Sequence, residues 1–206
     1  LMPVQVGPCL VLASASPRRR QLLDVVGVRY RVHPAGIDEH QRPGEDGAAL
    51  ALRAARDKAL AVSRLDYACP VLGSDTVVEI GDRTLGKPRS RDEAAEMLRT
   101  LSNATHRVHT GLALAVGDHC EALLDTASVR FAALSEETIR WYLATDEPMD
   151  KAGAYAIQGR GGLLVAGLDG SPHTVVGLSI HRLPELFAMC GLDFWEFVRD
   201  PEDHGF

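Results

Sequence analysis

The chain is predicted to fold as an α/β domain, a mixed β-sheet flanked by helices. Three observations predict it. An apolar run, Cys9 to Ala13, leads through Ser14-Ala15-Ser16-Pro17 into a helix-like segment, which is the opening of a βα unit. Further on, apolar runs are joined by Gly81-Asp82 and by Gly117-Asp118, turn pairs that mark antiparallel hairpins. Between these lie segments with helix start and stop signals of their own. A parallel unit feeding hairpins gives a mixed sheet.

The elements follow in order. Cys9 to Ala13 is the first strand. A helix runs from about Pro17 to Val26, with Ser16 as N-cap, Pro17 at the first helical position and Gly27 closing it. Val28 to Val32 reads as a short strand and His33 to Glu45 as loop. Asp46 to Ser63 is helical, with Leu52, Ala55, Ala59 and Val62 sharing an apolar face. Val71 to Asp75 is an apolar run ending in polar residues, followed by a hairpin of Thr76 to Ile80 and Arg83 to Leu85. Ser90 and Glu93 form a capping box opening a helix to Leu101. Thr105 to Val116 and His119 to Ala133 make a long antiparallel ribbon. Ser135 caps a helix ending near Ala144. Glu147 to Gly177 is loop-rich, with short strands at Leu163 to Val165 and Thr174 to Val176, and two short helices start near Pro184 and Asp193.

The 206 residues, 46% apolar and 24% charged, suit one domain over residues 1–206 that buries a core without disulfides. The net charge of −6 argues against a nucleic-acid coat or a membrane-surface protein. No run approaches the ~20 apolar residues of a bilayer span. Cys9, Cys69, Cys120 and Cys190 contain no Cys-x-x-Cys pair, which removes zinc-ribbon and thioredoxin readings. Cys9 and Cys120 read as buried thiols. No export signal is visible, so a reducing cytoplasm is the expected setting. His106 and His109 lie in strand-like sequence, where an i,i+3 pair faces opposite ways, and no H-E-x-x-H or Gly-x-Ser-x-Gly is present. Trp141 and Trp195 read as helix-packing residues.

Ser14-Ala15-Ser16-Pro17-Arg18-Arg19-Arg20 joins a strand to a helix N-terminus. Free N–H groups, two hydroxyls and guanidinium forks there suit an anion. The alternative is a capping turn with a solvated basic first turn, although arginines at that end oppose the helix dipole. A Walker loop and G-x-G-x-x-G are absent. Asp75, at the expected end of its strand in Gly73-Ser74-Asp75-Thr76, suits a metal ligand or general base, or else a turn residue capping its own backbone. Lys58, Lys87 and Glu39 are each readable as solvated surface. Gln158 is an amide among glycines in a segment, 147–162, whose small residues let backbone approach a ligand; the alternative is a surface loop.

Together these pieces resemble the Maf family of nucleoside triphosphate pyrophosphatases. The matching stretches are LASASPRRRQLL (12–23), GIDE (36–39), Arg56-Asp57-Lys58-Ala59, GSDT (73–76), GKPRSRDEAAEMLRTLSNATHRVHTG (86–111), EPMDKAGAYAIQGRGG (147–162) and VVGLSI (175–180), in the family's order. The resemblance implies an inosine-triphosphatase-like (Maf/Ham1) fold, with a long bent mixed sheet and two lobes around a central cleft. It implies hydrolysis of a nucleoside triphosphate to the monophosphate and pyrophosphate, a divalent metal (Mg²⁺ or Mn²⁺) and a homodimer; the charge balance leaves no nucleic-acid or membrane partner expected. By motif position, Ser14, Arg18 and Arg19 fall on its phosphate-handling turn. Glu39, Lys58, Asp75 and Lys87 fall on its polar active-site residues. Asp75 matches the proposed proton acceptor, and Glu39 and Asp75 would hold metal. Arg18, Thr76 and Gln158 fall on positions that separate subfamilies, and the triple is similar to the branch acting on dTTP and UTP rather than on 7-methyl-GTP. Gly86 departs from the family, which often has an acidic residue there. The rival reading is a nucleotide-binding regulator of cell division without turnover.

Overall fold

Val71–Ile80 is one unbroken ten-residue strand (β3), and the computed structural model, which describes residues 9–65 and 68–199, arranges the fold along it. The ends of the domain expected over 1–206 lie outside the described residues. β1 (Leu10–Leu12) runs parallel to the start of β3, and β2 (Tyr30–Val32) runs parallel to β1 on its far side. The chain then leaves the sheet after Leu12. A hairpin strand, β4 (Arg83–Leu85), takes the same edge of β3 only from Val78 onward. From Gly73 to Val77 that edge has no strand beside it among the described residues. The other edge is paired throughout with β5 (Thr105–Val116), which is followed by β6 (His119–Phe131) and β7 (Val165–Asp169). The sheet order is β2-β1-β3-β5-β6-β7.

The helices explain the small residues. α2 (Gly47–Ser63) starts at Asp46, whose carboxylate accepts the Ala49 N–H at 2.7 Å. It buries Ala51, Ala54, Ala55 and Ala59 against the sheet. A Cβ at Gly73 would collide with the Ala55 carbonyl oxygen, and one at Gly111 with that of Ala51. Glycine in the sheet and alanine on the helix therefore let α2 lie against the strand backbones. On the opposite face, α1 (Pro17–Val25), α5 (Pro172–Val176) and α6 (Leu183–Met189) cover Leu10, Leu12, Leu72, Leu112 and Leu114. A helix as short as α6 is not stable alone. Burial of Leu183, Leu186 and Phe187, at roughly 1.5–3 kcal/mol each, holds it. α3 (Arg91–Leu101) and α4 (Glu136–Leu143) form a second lobe with Val78, Val108, Val129, Phe131 and Tyr142. β3, β5 and β6 thus run through both lobes. No described helix is long and apolar enough to cross a membrane.

The mixed sheet and flanking helices agree with the sequence; several local expectations do not. Asp75 lies mid-strand, because β5 pairs with β3 continuously past the polar run at Gly73 to Thr76. Thr174 to Val176 is helical instead of extended: Ser171 accepts the His173 N–H, Pro172 starts a turn, and Gly177, at φ 116°, ends it. Leu163 and Leu164 belong to a 3-10 turn, and the strand begins only at Val165. Ser16 stands at the N-cap of α1 but makes no cap bond through its side chain. Trp141 and Trp195 are 45% and 66% exposed, and Cys9 is partly exposed rather than buried.

Candidate active site

The close seat of α2 on Gly73 and Gly111 brings Lys58 onto the strand. Its ammonium donates to Asp75 Oδ1 at 2.7 Å and pairs with Glu39 Oε1 at 2.9 Å. Lys58 and Asp75 are buried, while Glu39, from the loop after β2, stays half exposed. One cation therefore joins two carboxylates that are 36 residues apart in sequence (75 − 39). Among the described residues Asp75 Oδ2 accepts no hydrogen bond, so that oxygen is available to a ligand or water.

Side chains alternate along β3, so Ser74 and Thr76 face away from α2. There the turn after β1 meets α5. Arg19 is buried and anchored three ways: Nε donates to the Gly177 carbonyl at 2.8 Å, Nη1 to Ser14 Oγ at 3.1 Å and Nη2 to Thr76 Oγ1 at 3.3 Å. Ser14 Oγ also accepts the Ser16 N–H at 3.2 Å, which shapes the turn. Burial lowers the Arg19 pKa, opposed by the charges of Asp75 and Glu39. Thr110 donates its hydroxyl to the Thr174 carbonyl at 2.7 Å and lies 3.0 Å from Thr76 Oγ1. The Thr76 hydroxyl must then be the donor to Thr110, and Thr76 offers an incoming ligand only a lone pair. Arg18, in the same first helical turn, is partly exposed and reaches Asp150 of the other lobe at 3.4 Å.

All the residues singled out from sequence line one cleft of about 830 Å³: Ser14, Arg18, Arg19, Glu39, Lys58, Asp75, Thr76, Lys87 and Gln158. It opens where β1 has left β3 and β4 has not yet joined, so a ligand entering edge-on meets both faces of the sheet. Lys87 and Gln158 are exposed, and neither side chain has a hydrogen-bonding partner among the described residues. Gly86 also lines the cleft, and a Cβ there would meet nothing within 4 Å, so the missing acidic side chain is not excluded by space.

Sequence reasoning missed the supports. The Gly177 carbonyl, which accepts from both Arg19 and Ser74, is a backbone atom without a side-chain signature. Glu147 accepts from the Tyr142 hydroxyl and from the Arg160 and Gly161 N–H groups. The glycines at 159 and 161 were the available signal for it, since small residues can mark a backbone wrapped around a side chain.

The donor set bears on a metal. The described residues contain no cluster of three or more His, Cys, Asp or Glu that could hold a metal. Glu39 and Asp75 are nonetheless hard oxygen donors on one cation, and magnesium commonly takes one or two carboxylates and completes its shell with water and substrate phosphates. The residues fit a metal that arrives with its substrate.

The chain is similar to several known proteins. The Ham1 protein of Staphylococcus aureus is partly similar in structure, at TM-score 0.42 and 17% identity over 60% of this chain and 72% of that one. A dTTP/UTP pyrophosphatase of Myxococcus xanthus is 50% identical over 183 residues, covering 89% of this chain and 93% of that protein. Another from Escherichia coli strain K12 is 46% identical over 180 residues, 87% of this chain and 91% of its own. A family model described as Maf-like protein matches residues 9–190, from the first strand to the end of α6. The chain belongs to the Maf-like proteins.

Proposed function

We propose that this chain is a nucleoside triphosphate pyrophosphatase that hydrolyses dTTP and UTP to the monophosphate and pyrophosphate. The observation that carries the proposal is the gathering, in one cleft, of a lysine-held carboxylate pair, a phosphate-suited turn and a carboxamide without a partner among the described residues. The names of the relatives supply the substrate class.

The triphosphate lies along the Ser14–Arg19 turn. The Arg18 and Arg19 N–H groups at the start of α1, the Arg18 side chain, the unused N–H groups of Arg19 and the Lys87 ammonium offset its charge. Phosphoryl transfer is catalysed mostly by such positioning and electrostatics. A water attacks the α-phosphorus, the bond to the α,β-bridging oxygen breaks, and pyrophosphate leaves. Asp75 Oδ2 takes the water's proton while Lys58 fixes the carboxylate through Oδ1. A divalent metal, Mg²⁺ or Mn²⁺, would be held by Glu39 and Asp75, and when bound it polarises phosphate and acidifies water.

Base choice falls to Gln158. Its amide N–H donates to O4 of uracil or thymine and its oxygen accepts from N3–H. Cytosine reverses that pair. With no partner fixing the carboxamide among the described residues, a flip accommodates it, and CTP should rank next after UTP and dTTP. Purines are rejected by size against Arg18 and Thr76. The cytoplasmic setting and homodimer implied by the family remain part of this reading.

Phosphorus NMR of dTTP incubated with the protein and Mg²⁺ tests it. dTMP and pyrophosphate as the sole products are expected. Orthophosphate with dTDP, or binding without turnover, would overturn it in favour of another phosphatase chemistry or of a regulatory binder.

A further inference from the structure

Gln158 stands at the apex of a turn whose two ends are tied to one hub, the buried Tyr142 and the partly buried Glu147. On one side, the Ala156 N–H donates to the Tyr142 hydroxyl at 3.2 Å. On the other, the Gly161 N–H donates to Glu147 Oε1 at 2.9 Å and the Arg160 N–H to Oε2 at 3.0 Å. The hub is closed by the Tyr142 hydroxyl donating to Glu147 Oε1 at 2.8 Å. The fit is close: a Cβ at Gly159 would collide with the Glu147 carboxylate, and one at Gly161 would lie 2.7 Å from the Tyr142 hydroxyl. Glu147 and Tyr142 do not line the cleft, whereas Tyr155, Ala156, Ile157 and Gln158 do.

We propose that Glu147 is a positioning residue for substrate choice: through Tyr142 and the Arg160 and Gly161 N–H groups it sets how far Gln158 projects into the cleft, and so which bases fit. The proposal rests on Gln158 being the base-reading residue. A carboxylate is the one side chain of this length with acceptors on both sides of its fork. An amide in its place turns one acceptor into a donor facing a donor, so the turn must shift. Tyr142 is the relay to the other end of the turn, since its hydroxyl both donates and accepts.

The test is a kcat/KM comparison on UTP and GTP for wild type, Glu147→Gln, Gln158→Ala and the double variant, with Tyr142→Phe as a second route to the same hub. Glu147→Gln should lower the UTP:GTP ratio by about tenfold, mainly by raising KM for UTP. The double variant should match Gln158→Ala alone, because both changes act through one contact. Tyr142→Phe should move the ratio the same way by a smaller factor, and it carries the test if Glu147→Gln does not fold. If Gln158→Ala alters the ratio while Glu147→Gln and Tyr142→Phe leave it intact, the positioning role is overturned and the base-reading role stands. A uniform fall in kcat for both nucleotides with the ratio kept, or effects that multiply in the double variant, would also overturn it. An unchanged ratio in Gln158→Ala would remove the base-reading role and this proposal with it.

Discussion

On the α2 side of the cleft, Lys58 meets Asp75 through regular structure: helix backbone against strand backbone, with Ala51, Ala55, Gly73 and Gly111 setting the separation. On the opposite side, Gln158 is placed by an irregular segment of short 3-10 turns held by one carboxylate and one phenol. The first arrangement is spread over many packed atoms, so no single side chain can adjust it without moving a helix. The second depends on four hydrogen bonds around Glu147 and Tyr142, so small changes can re-aim it. On the proposed reading, a fold built this way would keep its chemistry fixed while its substrate choice varies.

Removing the proposed proton acceptor on the rigid wall should have the largest effect. Asp75→Asn cannot take the water's proton and is a poorer metal ligand. Turnover of dTTP should fall by about 10²–10⁴-fold with an unchanged circular dichroism spectrum. A folded variant with near-normal turnover would take Asp75 out of the mechanism.

Acid should loosen the irregular wall. His106 on β5 is buried, with Nε2 2.8 Å from the Tyr155 hydroxyl, and burial depresses its pKa from 6.5 to about 4. Between these values the unfolded chain holds a proton that the folded one lacks. Stability is therefore intact above about 6.5 and falls as pH drops toward about 4, by roughly 3 kcal/mol from this group. Glu147 adds to the same trend. Burial acts to raise its pKa, but the Gly161 N–H, the Tyr142 hydroxyl and the Arg160 N–H hold it below the ordinary value. Urea unfolding at pH 7, 5.5 and 4.5 measures the slope, and His106→Gln should flatten it.

The two cations proposed to face the phosphates differ in kind. Arg19→Ala removes three hydrogen bonds from a buried guanidinium and should lower stability by roughly 1.5–3 kcal/mol as well as activity. Lys87 is exposed, so Lys87→Ala should reduce activity while thermal unfolding stays within about 0.5 kcal/mol of wild type. Equal stability losses would contradict the anchoring role of Arg19. Gly111→Ala pushes a methyl at the α2 backbone and should cost about 1–3 kcal/mol. Its activity loss should be the same for every nucleotide, because it displaces Lys58 and leaves Gln158 in place.

How much of this was legible in the sequence follows the same division. The strand-turn-helix at Ser14 to Arg19 and the helix carrying Lys58 announce themselves by caps, prolines and apolar spacing. The motif resemblance then placed the cleft residues together. The pairings across distance were not legible: nothing local ties Glu39 to Lys58, or Arg19 to a backbone carbonyl at Gly177. Polar residues usually close a strand, so the sequence pattern ends the strand at Asp75. Here they continue it, with Gly73 and Asp75 under α2 and Ser74 and Thr76 under α5. Thr174 to Val176 failed for the opposite reason, as turn chemistry at Ser171-Pro172 and Gly177 overrode two β-branched residues.

The most direct test of the division between chemistry and choice is kcat/KM on UTP, dTTP, CTP and GTP for wild type, Asp75→Asn and Gln158→Ala in parallel. UTP and dTTP should lead in the wild type. Asp75→Asn should lower all four by a common factor and keep their order, while Gln158→Ala should compress the order and retain most of the turnover. A wild type that favours GTP, or an Asp75→Asn variant that reorders the substrates as Gln158→Ala does, would contradict it.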